Sequence, residues 1–111
     1  MTHVALMGSL DNTSMAVMAM AGIRELSQTA HSATGSADTA YTVVNPNTRR
    51  VVVCYGGTGA TDIRVRFNAT AAATHMPLLA QRYVVFEAVA GETIHFYNTT
   101  STATVYVLEM L

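Results

Sequence analysis

The chain contains no lysine and no tryptophan, a single cysteine and two prolines, and charged residues make up only 12% of it. Each shortage removes a class of protein. All six basic residues are Arg, set against seven acidic ones for a net charge of -1, so no cationic field is available to hold a phosphate backbone. A nucleic acid is therefore not expected as a partner. Cys54 alone closes no intrachain disulfide, and no Cys or His pair has the short spacing of a zinc site. The longest apolar stretch, Met15 to Ile23, falls well short of the roughly 20 residues a bilayer-spanning helix needs, and Arg24 and Glu25 end it. No membrane partner is expected. Ala19-Met20-Ala21 has the small-x-small form of a signal-peptide cleavage site, but no Lys or Arg precedes it and Asp11 interrupts the apolar run, which sets that reading aside.

What is present is apolar and β-branched. Half of the 111 residues are hydrophobic, enough for one two-layer core and not for two. Thr, Ser and Asn keep the surface wet, at positions such as Thr39, Thr42, Thr93, Thr102 and Thr104 that a strand would turn outward. A small domain this poor in charge is expected to bury surface against other copies of itself.

Strands dominate the pattern. Ile63, Val65 and Phe67 alternate with Asp62, Arg64, Arg66 and Asn68, the period of a half-buried strand. Thr39 to Val44 and Arg50 to Tyr55 are β-branched runs separated by Asn45-Pro46-Asn47-Thr48-Arg49, which reads as a hairpin, and Gly56-Gly57-Thr58-Gly59 leads on to a third consecutive strand. Tyr83 to Val89 and Thr93 to Tyr97 flank Ala90-Gly91-Glu92 as a second hairpin. Ala103 to Met110 is apolar on both faces and belongs at the centre of a sheet or under another subunit. Pro77 forces Met76 into an extended conformation, and His31 to Asp38, rich in Ser, Gly, Ala and Thr, reads as a loop. Ser14 to Leu26 admits a helix, but Gly22 and the absence of framing charges favour strands. The expected fold is all-β, a single-domain antiparallel β-sandwich or jelly roll, with residues 1–12 as an N-terminal arm or edge strand and 13–111 as the sandwich domain.

Catalytic and metal constellations are not evident. His3, His31, His75 and His95 form no His-x-His pair, and His95 is expected to meet Glu87 across the second turn as a surface pair. The glycine run lacks the Lys and the following helix of a phosphate loop, and Cys54 lies in a Val-rich strand where a thiol is packing. No cofactor and no metal are expected, and the chain is read as non-enzymatic. Candidate contact residues for a protein partner are Arg49 and Arg50 beside the first turn and Arg64 and Arg66 on one strand face, since a planar guanidinium suits a partner's carboxylate. To these are added His3, Val4, Leu6, Met7, Met15 and Met18 of the apolar N-terminal segment, which either packs on a neighbour or completes the chain's own sheet. An alternative sugar-binding reading would use Tyr55, Tyr83, Tyr97 or Tyr106 as an aromatic platform.

Residues 82–110, RYVVFEAVAGETIHFYNTTSTATVYVLEM, carry a Gly-Glu-Thr turn into an aromatic strand and a Thr/Ser turn into a last β-branched strand. In this texture the chain from about residue 40 to 111 resembles the small β-sandwich virion proteins of tailed bacteriophages, above all head decoration or cement proteins. The resemblance implies a non-enzymatic homo-oligomer, a trimer, on the capsid exterior of the virion, with the major capsid protein as partner and a tail or fibre adaptor as the alternative placement. It carries no site residues across, because no diagnostic motif is shared.

Overall fold

The computed structural model describes residues 5–9, 25–56, 63–99 and 102–111. Nine strands occur among them: β1 (Ala5–Ser9), β2 (Glu25–Ala33), β3 (Asp38–Thr42), β4 (Arg50–Tyr55), β5 (Ile63–Phe67), β6 (Met76–Leu78), β7 (Arg82–Glu87), β8 (Thr93–Asn98) and β9 (Ala103–Met110). They form two antiparallel sheets, one in the order β1-β7-β4-β9-β2 and the other β3-β8-β5-β6.

The pairing is nested. β2 pairs with β9, β3 with β8, β4 with β7 and β5 with β6, as though one long hairpin had been wound into two layers. The pairs β4–β9 and β5–β8 then close each sheet. This is the jelly-roll form of the antiparallel sandwich, with β1 added beside β7.

Between the sheets lies the main core. Val51, Val53 and Tyr55 of β4, Val84 and Phe86 of β7, and Val105 and Val107 of β9 face Ile63 and Val65 of β5, Ile94 and Phe96 of β8, and Tyr41 of β3. Full burial of such side chains stabilises the fold by about 1.5–3 kcal/mol each. A second apolar layer occupies the other face of the five-stranded sheet: Val52, Tyr83 and Met110 are buried there, with Cys54, Val85 and Leu108 packed against them. Burial of Met110 and packing of Leu108 there account for the apolar outer face at the end of β9, while Tyr106 on the same face is exposed; β9 does sit centrally, between β4 and β2.

Several local expectations need correction. Neither expected hairpin exists: β3 and β4 lie in different sheets, as do β7 and β8, so both connections are arches across the sandwich. β4 and β5 likewise alternate between sheets. The cause is geometric, since a connection of about five residues reverses the chain equally well within a sheet or across the ≈ 10 Å between two. The expected loop from His31 is also partly strand. His31, Ser32 and Ala33 continue β2 because they pair with Val105, Thr104 and Ala103, and that ladder overrides their weak β propensity. The alternation over β5, the core positions of β8 and the extended Met76 are all observed. Gly91 serves the turn after β7 with a φ of 93°, which a side chain would strain. Residues 57–62, with most of the glycine run, and the segment Ser14 to Arg24 lie outside the described residues.

Candidate functional site

One end of the sandwich is organised by a buried carboxylate. Glu109 shares its face of β9 with Val105 and Val107, so strand alternation drives it inward, where it is fully buried. A charge placed there is tolerated only with donors around it. Tyr41 on the opposite sheet donates its hydroxyl to Oε2, and Thr48 donates its hydroxyl to Oε1 at 2.7 Å. The backbone N–H groups of Asn45 and Val44 complete the set at 2.9 and 3.2 Å. Burial alone would push the Glu109 carboxyl up, and the donors from Tyr41, Thr48, Asn45 and Val44 reverse this and hold it below the usual carboxylate range. Burial raises the Tyr41 hydroxyl, helped by its bond to the Glu109 carboxylate.

The 43–49 arch is anchored in this way by hydrogen bonds along its length. Asn45 closes a side-chain turn onto the N–H of Asn47, Val43 exchanges backbone bonds with Gly91 and Glu92, and Arg49 is pinned to Met110 and Ala88 through its backbone. The Arg49 side chain is exposed and has no hydrogen bond or ion pair among the described residues. Beside it stand two exposed apolar side chains, Val89 at 41% and Leu111 at 40%. Arg49 separates two shallow depressions, one of about 330 Å³ reaching to Arg50, Glu87 and Ala88, the other of about 190 Å³ reaching to Pro46, Asn47 and Leu111. Arg50 donates to the Leu111 carbonyl at 3.0 Å. A guanidinium with no partner among the described residues and with apolar side chains beside it is suited to a carboxylate on a partner protein.

The other candidate residues fall elsewhere. Arg64 and Arg66 stand on the outer face of the four-stranded sheet and donate to backbone carbonyls of the following loop, Arg64 to His75 at 3.5 Å and Arg66 to Thr70 at 3.1 Å. The structure thus brings Arg49 and Arg50 together and sets Arg64 and Arg66 apart from them. Leu6 and Met7 belong to β1, at register positions opposite Val85 and Val84. The apolar N-terminal segment therefore supplies one strand to the chain's own sheet. His3, Val4, Met15 and Met18 lie outside the described residues.

His95 does not approach Glu87; its Nδ1 meets Asp38 Oδ2 at 3.0 Å and its Nε2 meets the Thr93 hydroxyl at 3.1 Å. Asp38 also accepts the N–H of Ala71 at 2.8 Å, so this trio ties the 68–75 loop to β3. His31 is wedged between the Thr39 hydroxyl at 3.0 Å and the Phe96 ring at 5.0 Å, and burial lowers its pKa. No group of three His, Cys, Asp or Glu able to hold a metal occurs among the described residues. Cys54 is half-buried, and burial raises its thiol pKa, as suits packing. Of the four tyrosines proposed for sugar, Tyr55 and Tyr83 are buried, while Tyr97 and the exposed Tyr106 belong to different sheets, so no shared platform forms.

Comparison with protein-family models, with curated proteins and with solved structures finds no match to this chain. What fold and site define together is a class: a single-domain jelly-roll sandwich with one arginine-centred, apolar-rimmed end.

Proposed function

We propose that the protein is a non-enzymatic structural component of a bacteriophage virion, a decoration protein that ties neighbouring capsid subunits together on the head exterior. The observation that carries this reading is the Arg49 end, where a cation without a partner among the described residues and the exposed Val89 and Leu111 line one surface. Such a surface fits a protein partner better than a small substrate, because its depressions are shallow and open. The low charge supports the same use. An oligomer that engages several equivalent sites on a lattice gains avidity through effective concentration, so each contact needs only modest affinity. The phage-like texture of residues 82–110 supplies the setting.

Gold labelling of intact particles with an antibody to this chain tests the reading. Label distributed over the head supports decoration, label confined to the tail moves the protein to an adaptor role, and unlabelled particles overturn the virion assignment.

A further inference from the structure

Among the described residues each sheet ends in two edge strands, and an edge is a row of backbone donors and acceptors that natural proteins protect. On the four-stranded sheet, β6 has three residues with Pro77 at its centre, and β3 has five and opens on Asp38. On the five-stranded sheet, β1 has five residues and includes Gly8. The edge at β2 is different. It runs for nine residues, and after the irregularity between Glu25 and Ser27 the stretch Ser27–Ala33 contains no proline, no formal charge and no further break. Its outward side chains, Gln28, Ala30 and Ser32, are small or polar and exposed.

We infer that β2 is a self-association edge, where a second copy of this chain adds its own β2 antiparallel across a two-fold axis and joins two five-stranded sheets into one. The strand is its own complement about Ala30. That centre places Ala30 against Ala30 of the partner subunit, with no bulk to hold the backbones apart, and sets Gln28 opposite Ser32 of the partner subunit, an amide against a hydroxyl. Glu25 is the only acidic residue on the strand. Antiparallel pairing separates the two copies of Glu25 by about 30 Å at 3.4 Å per residue, well beyond the ≈ 8 Å screening length. An isologous contact of this kind closes at two subunits, in place of the trimer implied by the resemblance to phage proteins.

Light scattering on the full chain is the first measurement, and about twice the 11.8 kDa subunit mass is expected. Ala30→Lys puts two ammonium groups face to face at the axis and halves the mass, and mixing it with Ala30→Glu restores the dimer, which separates lost pairing from lost folding. Under mild oxidation Ala30→Cys cross-links into dimers, while Thr42→Cys on the β3 edge does not. A trimer, a monomer, a dimer that Ala30→Lys leaves intact, or equal cross-linking at both positions overturns the inference. None of these results depends on particle labelling, so a trimer that decorates heads would remove the β2 pairing and leave the decoration reading standing.

Discussion

Tyr41 and Glu109 meet across the sandwich, a phenol from one sheet hydrogen-bonded to the buried carboxylate of the other, 68 residues apart in sequence. With Thr48 and the backbone of Val44 and Asn45 on the same carboxylate, this contact sets the path of the first arch and so the position of Arg49. Packing, polar satisfaction and the candidate interface are thereby coupled through one side chain.

Glu109→Gln keeps the shape and removes the charge, and its amide then turns donors toward donors. Loss of charge-assisted bonds in a buried site is expected to destabilise the fold by about 3 kcal/mol. Tyr41→Phe, which leaves the carboxylate three donors, is expected to cost about 2 kcal/mol. Urea denaturation measures both, and a Glu109→Gln variant as stable as the parent would show that the carboxylate is not a structural anchor.

Stability should fall on the acid side in two steps. The pKa of His31 is lowered in the folded state, so the unfolded chain binds protons more readily and stability declines as pH falls below the ordinary value of 6.5. The pKa of Glu109 is lowered too, so its contribution is present above 4.5 and is lost as pH falls through its folded value. Tyr41 shifts the other way, and its contribution is lost as pH rises above 10. Unfolding free energy measured from pH 3 to 11 checks the profile. His31→Gln should flatten the limb just below 6.5 and leave the lower one; an unchanged upper limb would rule His31 out as its cause.

Val52 and Val53 are neighbours on β4 that point to opposite faces of the five-stranded sheet, and both are fully buried. Val→Ala at either position is expected to cost about 2 kcal/mol, because each leaves a cavity that close-packed neighbours only partly fill. Thermal or urea unfolding of the two variants compares the faces directly. A near-neutral Val52→Ala would mean that the outer layer does not contribute as core.

The strands were largely legible from the sequence, and their connections were not. Period-two alternation marks Ile63, Val65 and Phe67, and again Ile94 and Phe96, because burial on one face imposes it directly. Pro46 and Gly91 mark reversals, yet nothing in a turn residue tells whether the next strand stays in its sheet or crosses to the other. That choice is made by partners far along the chain, such as β9 between β4 and β2. Of the site, Arg49 and Arg50 were visible as residue types, while the anchor beneath them was missed. Its signal was present: Glu109 has the same parity as Val105 and Val107, which places a lone acid on a core face. Asp38 as the partner of His95 carried no local signal, since 57 residues separate them.

Arg49 and Arg66 separate a contact role from a structural one. Both are exposed guanidinium groups, but Arg66 donates to the Thr70 carbonyl, whereas Arg49 has no side-chain partner among the described residues and stands beside Val89 and Leu111. Arg49→Glu turns attraction for a partner's carboxylate into repulsion and does not touch the backbone bonds to Met110 and Ala88 that hold its position. Co-sedimentation with phage heads should therefore weaken at least about tenfold, equivalent to about 1.4 kcal/mol per contact, with the thermal midpoint unchanged. Arg66→Glu should leave co-sedimentation intact and loosen the 68–75 loop by less than about 1 kcal/mol, the scale of an exposed hydrogen bond. Equal binding by the Arg49→Glu variant and the parent would take the contact surface away from this end of the sandwich. Equal losses from both variants would point instead to a diffuse electrostatic attraction, which should then fade steeply with added salt.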